Sequence, residues 1–238
     1  MDVVEILPRL HLLRFPVGQA YLWSDDDGLT LVDAGPLGAG TPIAAAIRSL
    51  GRDPAELRRI VLTHFHEDHM GGAGELAGPY GAEVLAHRLD APVVRGEAPA
   101  VPPVYQDWER PLHAAALAQL PQGEPVRPPR LTELSGTDVL DFGGGAHVVP
   151  APGHTDGSIS LHLPRHGVLF TGDAVAASPV DGSVVLGVFN TDRDRAVASF
   201  RRLAALDTDV ACFGHGAPVT ERAGETLRRS ADGYRTPA

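Results

Sequence analysis

The run Thr63-His64-Phe65-His66-Glu67-Asp68-His69 packs three histidines and an aspartate into six positions, from His64 to His69. If Ile60–Thr63 is a strand, His64 and His66 lie two residues apart and project the same way as the strand ends. Asp68 and His69 follow where the backbone must turn, ahead of Gly71-Gly72. Two groups of ligands from one loop suit two adjacent metal ions better than one. Neutral imidazole with carboxylate favours zinc, and iron or manganese also accept such a set. A lone histidine is more often a packing or surface residue; three with an aspartate at this density point to ligation.

Three further segments repeat one design, an apolar strand followed by a ligand-type side chain among small residues. They are Pro152-Gly153-His154-Thr155-Asp156-Gly157, Phe170-Thr171-Gly172-Asp173 and Phe213-Gly214-His215-Gly216. Glycine lets the backbone crowd a site at such points. Each segment alone reads as a turn, and together with the first cluster they support one another.

These segments, with Asp33-Ala34-Gly35, resemble the signature of the metallo-β-lactamase superfamily in its glyoxalase II-like hydrolase branch. The resemblance runs from Asp33 to His215, most of the chain. It implies an α/β (α+β) fold, a four-layer αββα sandwich with the metals at one edge of two sheets. It further implies His64, His66 and His154 on the first metal and Asp68, His69 and His215 on the second. Asp173 would bridge the two, and Asp33 would steady a ligand imidazole or, equally, cap a strand end. The superfamily's zinc β-lactamases with a cysteine ligand carry it near the position of Asp173, which weighs against antibiotic hydrolysis. Acyl-homoserine lactonases have a tyrosine three residues after the bridging aspartate, where this chain has Ala176. Only 23 residues follow His215, short of the helical extension with which glyoxalase II binds glutathione.

Such a centre implies two divalent ions, zinc first, that acidify a shared water into an attacking hydroxide at neutral pH. The expected bonds are ester, thioester or lactone, with a phosphodiester open to the same chemistry. Asp68 is the expected catalytic proton shuttle. Specificity must come from elsewhere, and the Pro-flanked insertion at about 91–129 is the expected lid, with Tyr105, Trp108 and His113 as small-molecule substrate contacts. Trp108 could instead anchor the insertion. Two rival readings keep the scaffold. One is a persulfide dioxygenase-like oxidoreductase with a single iron on two His and one Asp, drawn from His64 or its neighbours. The other is a non-catalytic, metal-dependent binding protein, which a missing ligand would favour; all seven positions are filled.

Short alternating strands are expected at Val3–Leu7, His11–Phe15, Ala20–Trp23 and Leu29–Val32, with a hairpin turn at Asp25–Gly28. Thr41 as N-cap and Pro42 at the first helical position predict a helix to Leu50, stopped by Gly51. A short helix is expected at Gly71–Ala77, a strand at Glu83–Ala86 and a helix over Val104–Leu120. Strand signals return at Val139–Phe142, His147–Pro150, Ser158–Leu163, Gly167–Thr171 and Val210–Phe213, with helices at Asp194–Leu206 and Glu221–Ala231. One domain is expected over 1–238. His11, His87, His113, His147, His162 and His166 lack partner spacing, and Cys212 reads as a small packing residue.

The chain carries 20 basic and 30 acidic residues, a formal charge of −10. That excess opposes nucleic-acid and anionic-membrane binding, both of which need basic surface. Every basic residue is Arg, a bias expected of a GC-rich bacterial genome. A single cysteine, no membrane-length apolar run and an acidic, Pro-containing start MDVVEILPRL lead to an expected cytoplasmic location. Oligomeric state is left open.

Overall fold

A computed structural model describes residues 1–234. The chain divides into two compact units, the first made of Met1–Ala100 with Ala114–Leu134, the second of Val101–His113 with the chain from Ser135 onward.

The first unit is built on a seven-stranded sheet whose spatial order follows the sequence. Strands β1 (Asp2–Leu7), β2 (Leu10–Arg14), β3 (Gln19–Asp25) and β4 (Gly28–Val32) pair antiparallel through tight turns. The sheet then turns parallel through β5 (Leu57–Val61), β6 (Glu83–His87) and β7 (Leu131–Leu134). Parallel neighbours need crossovers, here α1 (Gly40–Ser49), α2 (Glu67–Met70), α3 (Ala73–Tyr80) and α4 (Ala91–Arg95). Ile43, Ala44 and Ile47 of α1 and Leu76 and Ala77 of α3 bury one stripe each against Leu29, Leu31, Ile60 and Val84.

Helix α1 starts at Gly40 with Ala39 as N-cap, and no side chain of its own turn caps it. The expected threonine cap is displaced because Glu75 of α3 does that work, accepting from Gly38 N at 2.7 Å and Gly40 N at 2.9 Å. A carboxylate on helix-terminal amides is favoured by both hydrogen bonding and the helix dipole.

The insertion is less helical than its periodicity predicts. The helix α5 covers Glu109–Leu117, and the residues from Pro99 to Gln106 run as coil. Val101–His113 packs in the second unit and Ala114–Leu134 in the first. The later part is tied down there: Arg127 donates to the Val93 and Val94 carbonyls, serving the last carbonyls of α4.

The second unit holds a five-stranded sheet in the order β14-β11-β10-β9-β8: β8 (Val139–Leu140), β9 (Ala146–Pro150), β10 (Ile159–Leu163), β11 (Val168–Gly172) and β14 (Val210–Phe213). A hairpin of β12 (Val175–Ala177) and β13 (Val184–Leu186) follows β11. Helices α6 (Arg193–Ala204) and α7 (Ala223–Ala231) cover this core with Val197, Phe200, Leu203 and Leu227. The β11–β14 pair is parallel and its neighbours are antiparallel.

Candidate metal centre

In the first unit the donors sit past the carboxyl ends of the parallel pair β4 and β5, where side chains can leave a sheet without pairing obligations. Chain leaving β4 reaches Asp33, in the left-handed region at φ 59°. Chain leaving β5 reaches Thr63 and His64. Asp33 Oδ1 accepts from the Thr63 amide at 2.7 Å, and Oδ2 accepts from the Thr63 hydroxyl at 2.9 Å. His69 Nδ1 lies 2.8 Å from the same Oδ2, and His64 Nδ1 lies 3.0 Å from Thr63 Oγ1.

These contacts assign the tautomers. An ionised carboxylate only accepts, so His69 donates from Nδ1. The Thr63 hydroxyl gives its proton to Asp33 and therefore accepts from His64 Nδ1. Both rings then carry their lone pair on Nε2, the state in which imidazole ligates a metal.

His64, His66 and His69 converge, with ring centroids 4.7 Å apart for His64–His66 and 4.2 Å for His64–His69. Helix α2 gathers them: His66 is its N-cap residue, and the His66 carbonyl accepts from the amides of His69 and Met70. Glycines make the fit. Gly18 adopts φ 73°, and a Cβ there would lie 2.5 Å from the Asp68 carbonyl oxygen and 3.2 Å from Oδ2.

In the second unit the design recurs at the parallel pair β11 and β14. Their register aligns Gly172 with Phe213, so Asp173 and His215 emerge side by side. His154 comes from the β9–β10 loop, whose Gly153 at φ 134° would drive a Cβ to 2.2 Å from the Ala196 amide of α6. His154 is buried, and its Nδ1 donates to the Val188 carbonyl at 2.9 Å. A carbonyl can only accept, so this ring too presents Nε2.

The spacing of the donors is informative. Asp173 Oδ2 lies 3.6 Å from His154 Nε2 and 3.3 Å from His215 Nε2. Asp68 Oδ2 lies 3.6 Å from His69 Nε2. Good charge-assisted hydrogen bonds run at about 2.7–2.9 Å. Ligands about 2.05 Å from one tetrahedral ion stand about 3.3 Å apart. The donor set and its spacing fit a metal. Among the described residues, the groupings of His, Cys, Asp or Glu able to hold an ion draw on His64, His66, Asp68, His69, His154, Asp173 and His215 alone.

The other histidines fall outside these groupings. His162 Nε2 meets the Asp207 carbonyl at 2.9 Å, and the Leu89 amide donates to His87 Nδ1 at 3.3 Å. Cys212 is fully buried on β14, and burial pushes its thiol pKa far up. His113 meets Tyr105 Oη at 2.9 Å, and both rings pack near Phe189. Trp108 is 60% exposed; its neighbour Glu109 is the buried tether of this segment. Sequence reasoning missed Glu109 and the loop it holds, because a single Glu in a polar stretch carries no spacing signal. Thr63 was within reach: a hydroxyl directly before the first ligand, one strand over from Asp33.

A model of the metallo-β-lactamase superfamily matches residues 13–215, and the chain belongs to that superfamily and has its fold. It is 28% identical over 231 residues to the probable metallo-hydrolase YflN of Bacillus subtilis (strain 168), covering 91% of this chain and 87% of the relative. It is 32% identical over 209 residues to a hydroxyacylglutathione hydrolase of Ruegeria pomeroyi. That match covers 82% of this chain but only 61% of the relative's length. The crystal structure of a metallo-β-lactamase family protein from Thermus thermophilus is similar at a TM-score of 0.68 and 27% identity, over 96% of this chain and 79% of that one.

Proposed function

We propose that this chain is a dinuclear metal hydrolase of small acyl substrates, with thioesters first and esters or lactones by the same chemistry. One observation carries the reading: three buried imidazoles, His64, His69 and His154, have Nδ1 committed to Thr63, Asp33 and Val188 and present Nε2. Rings held this way match the pattern of metal-ligating histidines, whose other nitrogen is hydrogen-bonded to a carboxylate, carbonyl or hydroxyl.

In this reading His64, His66 and His154 hold one ion, Asp68, His69 and His215 hold the second, and Asp173 serves both. Zinc suits the nitrogen-rich set best. Bound divalent ions would acidify water and polarise a carbonyl. The chain's own residues do the rest. Asp33 fixes the His69 ring directly and the His64 ring through Thr63. Asp68 is the proton-transfer group, because its carboxylate is 13% exposed and rests against Gly18. Tyr105, Trp108 and His113 meet the substrate. The thioester preference draws on the likeness to the hydroxyacylglutathione hydrolase, whose name specifies an S-acyl substrate. Among the described residues no helix is long and apolar enough to cross a membrane. The single free cysteine agrees with the cytoplasm as working compartment.

The deciding experiment combines metal analysis with a panel of thioester, ester, lactone, β-lactam and phosphodiester substrates, plus oxygen uptake on a thiol persulfide. Two zinc ions per chain with thioester turnover supports the proposal. One iron with oxygen uptake overturns it in favour of an oxidoreductase, and metal without any turnover points to a binding protein.

A further inference from the structure

Three consecutive residues of the second unit, Val188-Phe189-Asn190, have their main-chain groups committed in three directions. The Val188 carbonyl accepts from His154 Nδ1 at 2.9 Å. The Phe189 amide donates to Glu109 Oε1 at 3.1 Å. The Asn190 carbonyl accepts from the Val104 amide at 2.9 Å. Thr191 and Asp192 continue the loop with amides on the His154 and Gly153 carbonyls, at 3.2 and 2.9 Å. One short loop therefore aims a ligand imidazole and carries the segment from Val104 to His113.

Glu109 is the centre of this arrangement. It is 4% exposed, and its second oxygen, Oε2, accepts from the Gln106 amide at 2.7 Å. The Glu109 amide returns a bond to the Gln106 carbonyl at 2.9 Å, closing the turn that leads into α5. A buried carboxylate satisfied by two amides makes strong, charge-assisted bonds. Phe189 sits in the left-handed region at φ 59°, a conformation strained for a residue other than glycine. Such a conformer persists only where its surroundings over-determine it, and functional sites are where these collect. Here the surroundings are Glu109 on its amide and the Tyr105 and His113 rings on its side chain, with His113 at a centroid distance of 4.8 Å.

We propose that Glu109 is a positioning residue, joining the Tyr105–His113 segment to the loop that aims His154 so that substrate contact and metal affinity are coupled. This rests on the proposed metal reading. By linkage, whatever factor a ligand on the segment adds to metal affinity, the metal adds to ligand affinity. Glu109 transmits that factor without touching either.

The test uses purified full-length wild type, Glu109→Ala and Glu109→Gln, each loaded with cobalt(II). Metal stoichiometry, the visible cobalt spectrum, cobalt affinity by chelator competition, and KM and kcat on the best substrate of the panel are measured. Glu109→Ala should shift the spectrum, weaken one cobalt site about tenfold or more, and raise KM. Glu109→Gln keeps one carbonyl acceptor for the Phe189 amide and should fall between. An alanine variant with wild-type spectrum, cobalt affinity and KM overturns the inference, even if its melting temperature drops. Should that variant fail to fold, Val104→Pro is read by the same criteria; it deletes the amide bonded to Asn190 while its side chain is 69% exposed. A wild type that binds no metal sinks the metal reading itself, whereas two bound ions with unaltered variants sink only the role of Glu109.

Discussion

Asp33 Oδ2 and His69 Nδ1 stand 2.8 Å apart, on an aspartate that also takes the amide and hydroxyl of Thr63. Asp33→Asn nearly preserves shape, and its carbonyl can still accept from Thr63. Its amide cannot accept from His69, so that ring must turn over or move its proton to Nε2. Metal affinity should fall about 10- to 100-fold, the usual cost of losing a partner behind a ligand. Chelator competition with zinc measures this, with circular dichroism as the check on folding. Unchanged affinity would mean that Asp33 merely caps its strand.

Gly18 offers a test of crowding at Asp68. Gly18→Ala forces a left-handed alanine at φ 73° and sets its Cβ 2.5 Å from the Asp68 carbonyl. Gly38→Ala is the matched control, since Gly38 has φ 83° and nothing within 4 Å of the added carbon. Both should lose about 1–2 kcal/mol of stability from the conformation alone. Only Gly18→Ala should also lower kcat/KM, by about 100-fold if Asp68 moves by an ångström. Melting curves and steady-state rates on the pair separate the two effects, and equal rates would remove Asp68 from the chemistry.

The sequence made the first donor set legible because His64, His66, Asp68 and His69 are close in the chain, where the strand period and a following turn can be reasoned about directly. His154, Asp173 and His215 were readable only as strand ends followed by glycine, and the parallel register of β11 and β14 is what sets Asp173 beside His215. Most strands were readable from alternation. β7, β12 and β13 were not, being three or four residues long; β14 is as short, and was read as an apolar run leading into Gly214-His215. The helix expected over Val104–Leu120 shrank to Glu109–Leu117, and the chain ahead of it is held as coil by the Val104 amide on the Asn190 carbonyl. Long-range bonds of that kind leave no mark in local composition. The cap on α1 failed for the same reason: Glu75 is 35 residues from the amide of Gly40 that it serves.

Cys212 lies on β14, three residues before His215, and its thiol is fully buried, which drives its pKa up. The reactive species is the thiolate, so the native chain should not react with a disulfide reagent at pH 8. Reaction should appear only in denaturant, at one thiol per chain. Fast labelling of the native protein would contradict a purely packing role. Cys212→Ser should lower stability by roughly 1–3 kcal/mol through the buried hydroxyl, with metal binding unaltered.

Trp108 gives the sharpest test of the substrate side, because its exposure removes the folding explanation in advance. At 60% exposed it contributes little to the core, and Trp108→Ala should change stability by no more than about 0.5 kcal/mol. Val101, Val104 and Leu112 of the same segment are also exposed, so the segment presents apolar surface that an acyl group could cover. Loss of the indole should therefore raise KM, by about tenfold if about 1.4 kcal/mol of apolar contact is removed, with metal content and kcat retained. Steady-state kinetics on the preferred substrate of the panel, alongside metal analysis, reads both. A variant with wild-type KM on that substrate takes Trp108 out of recognition and leaves Tyr105 and His113 to carry it.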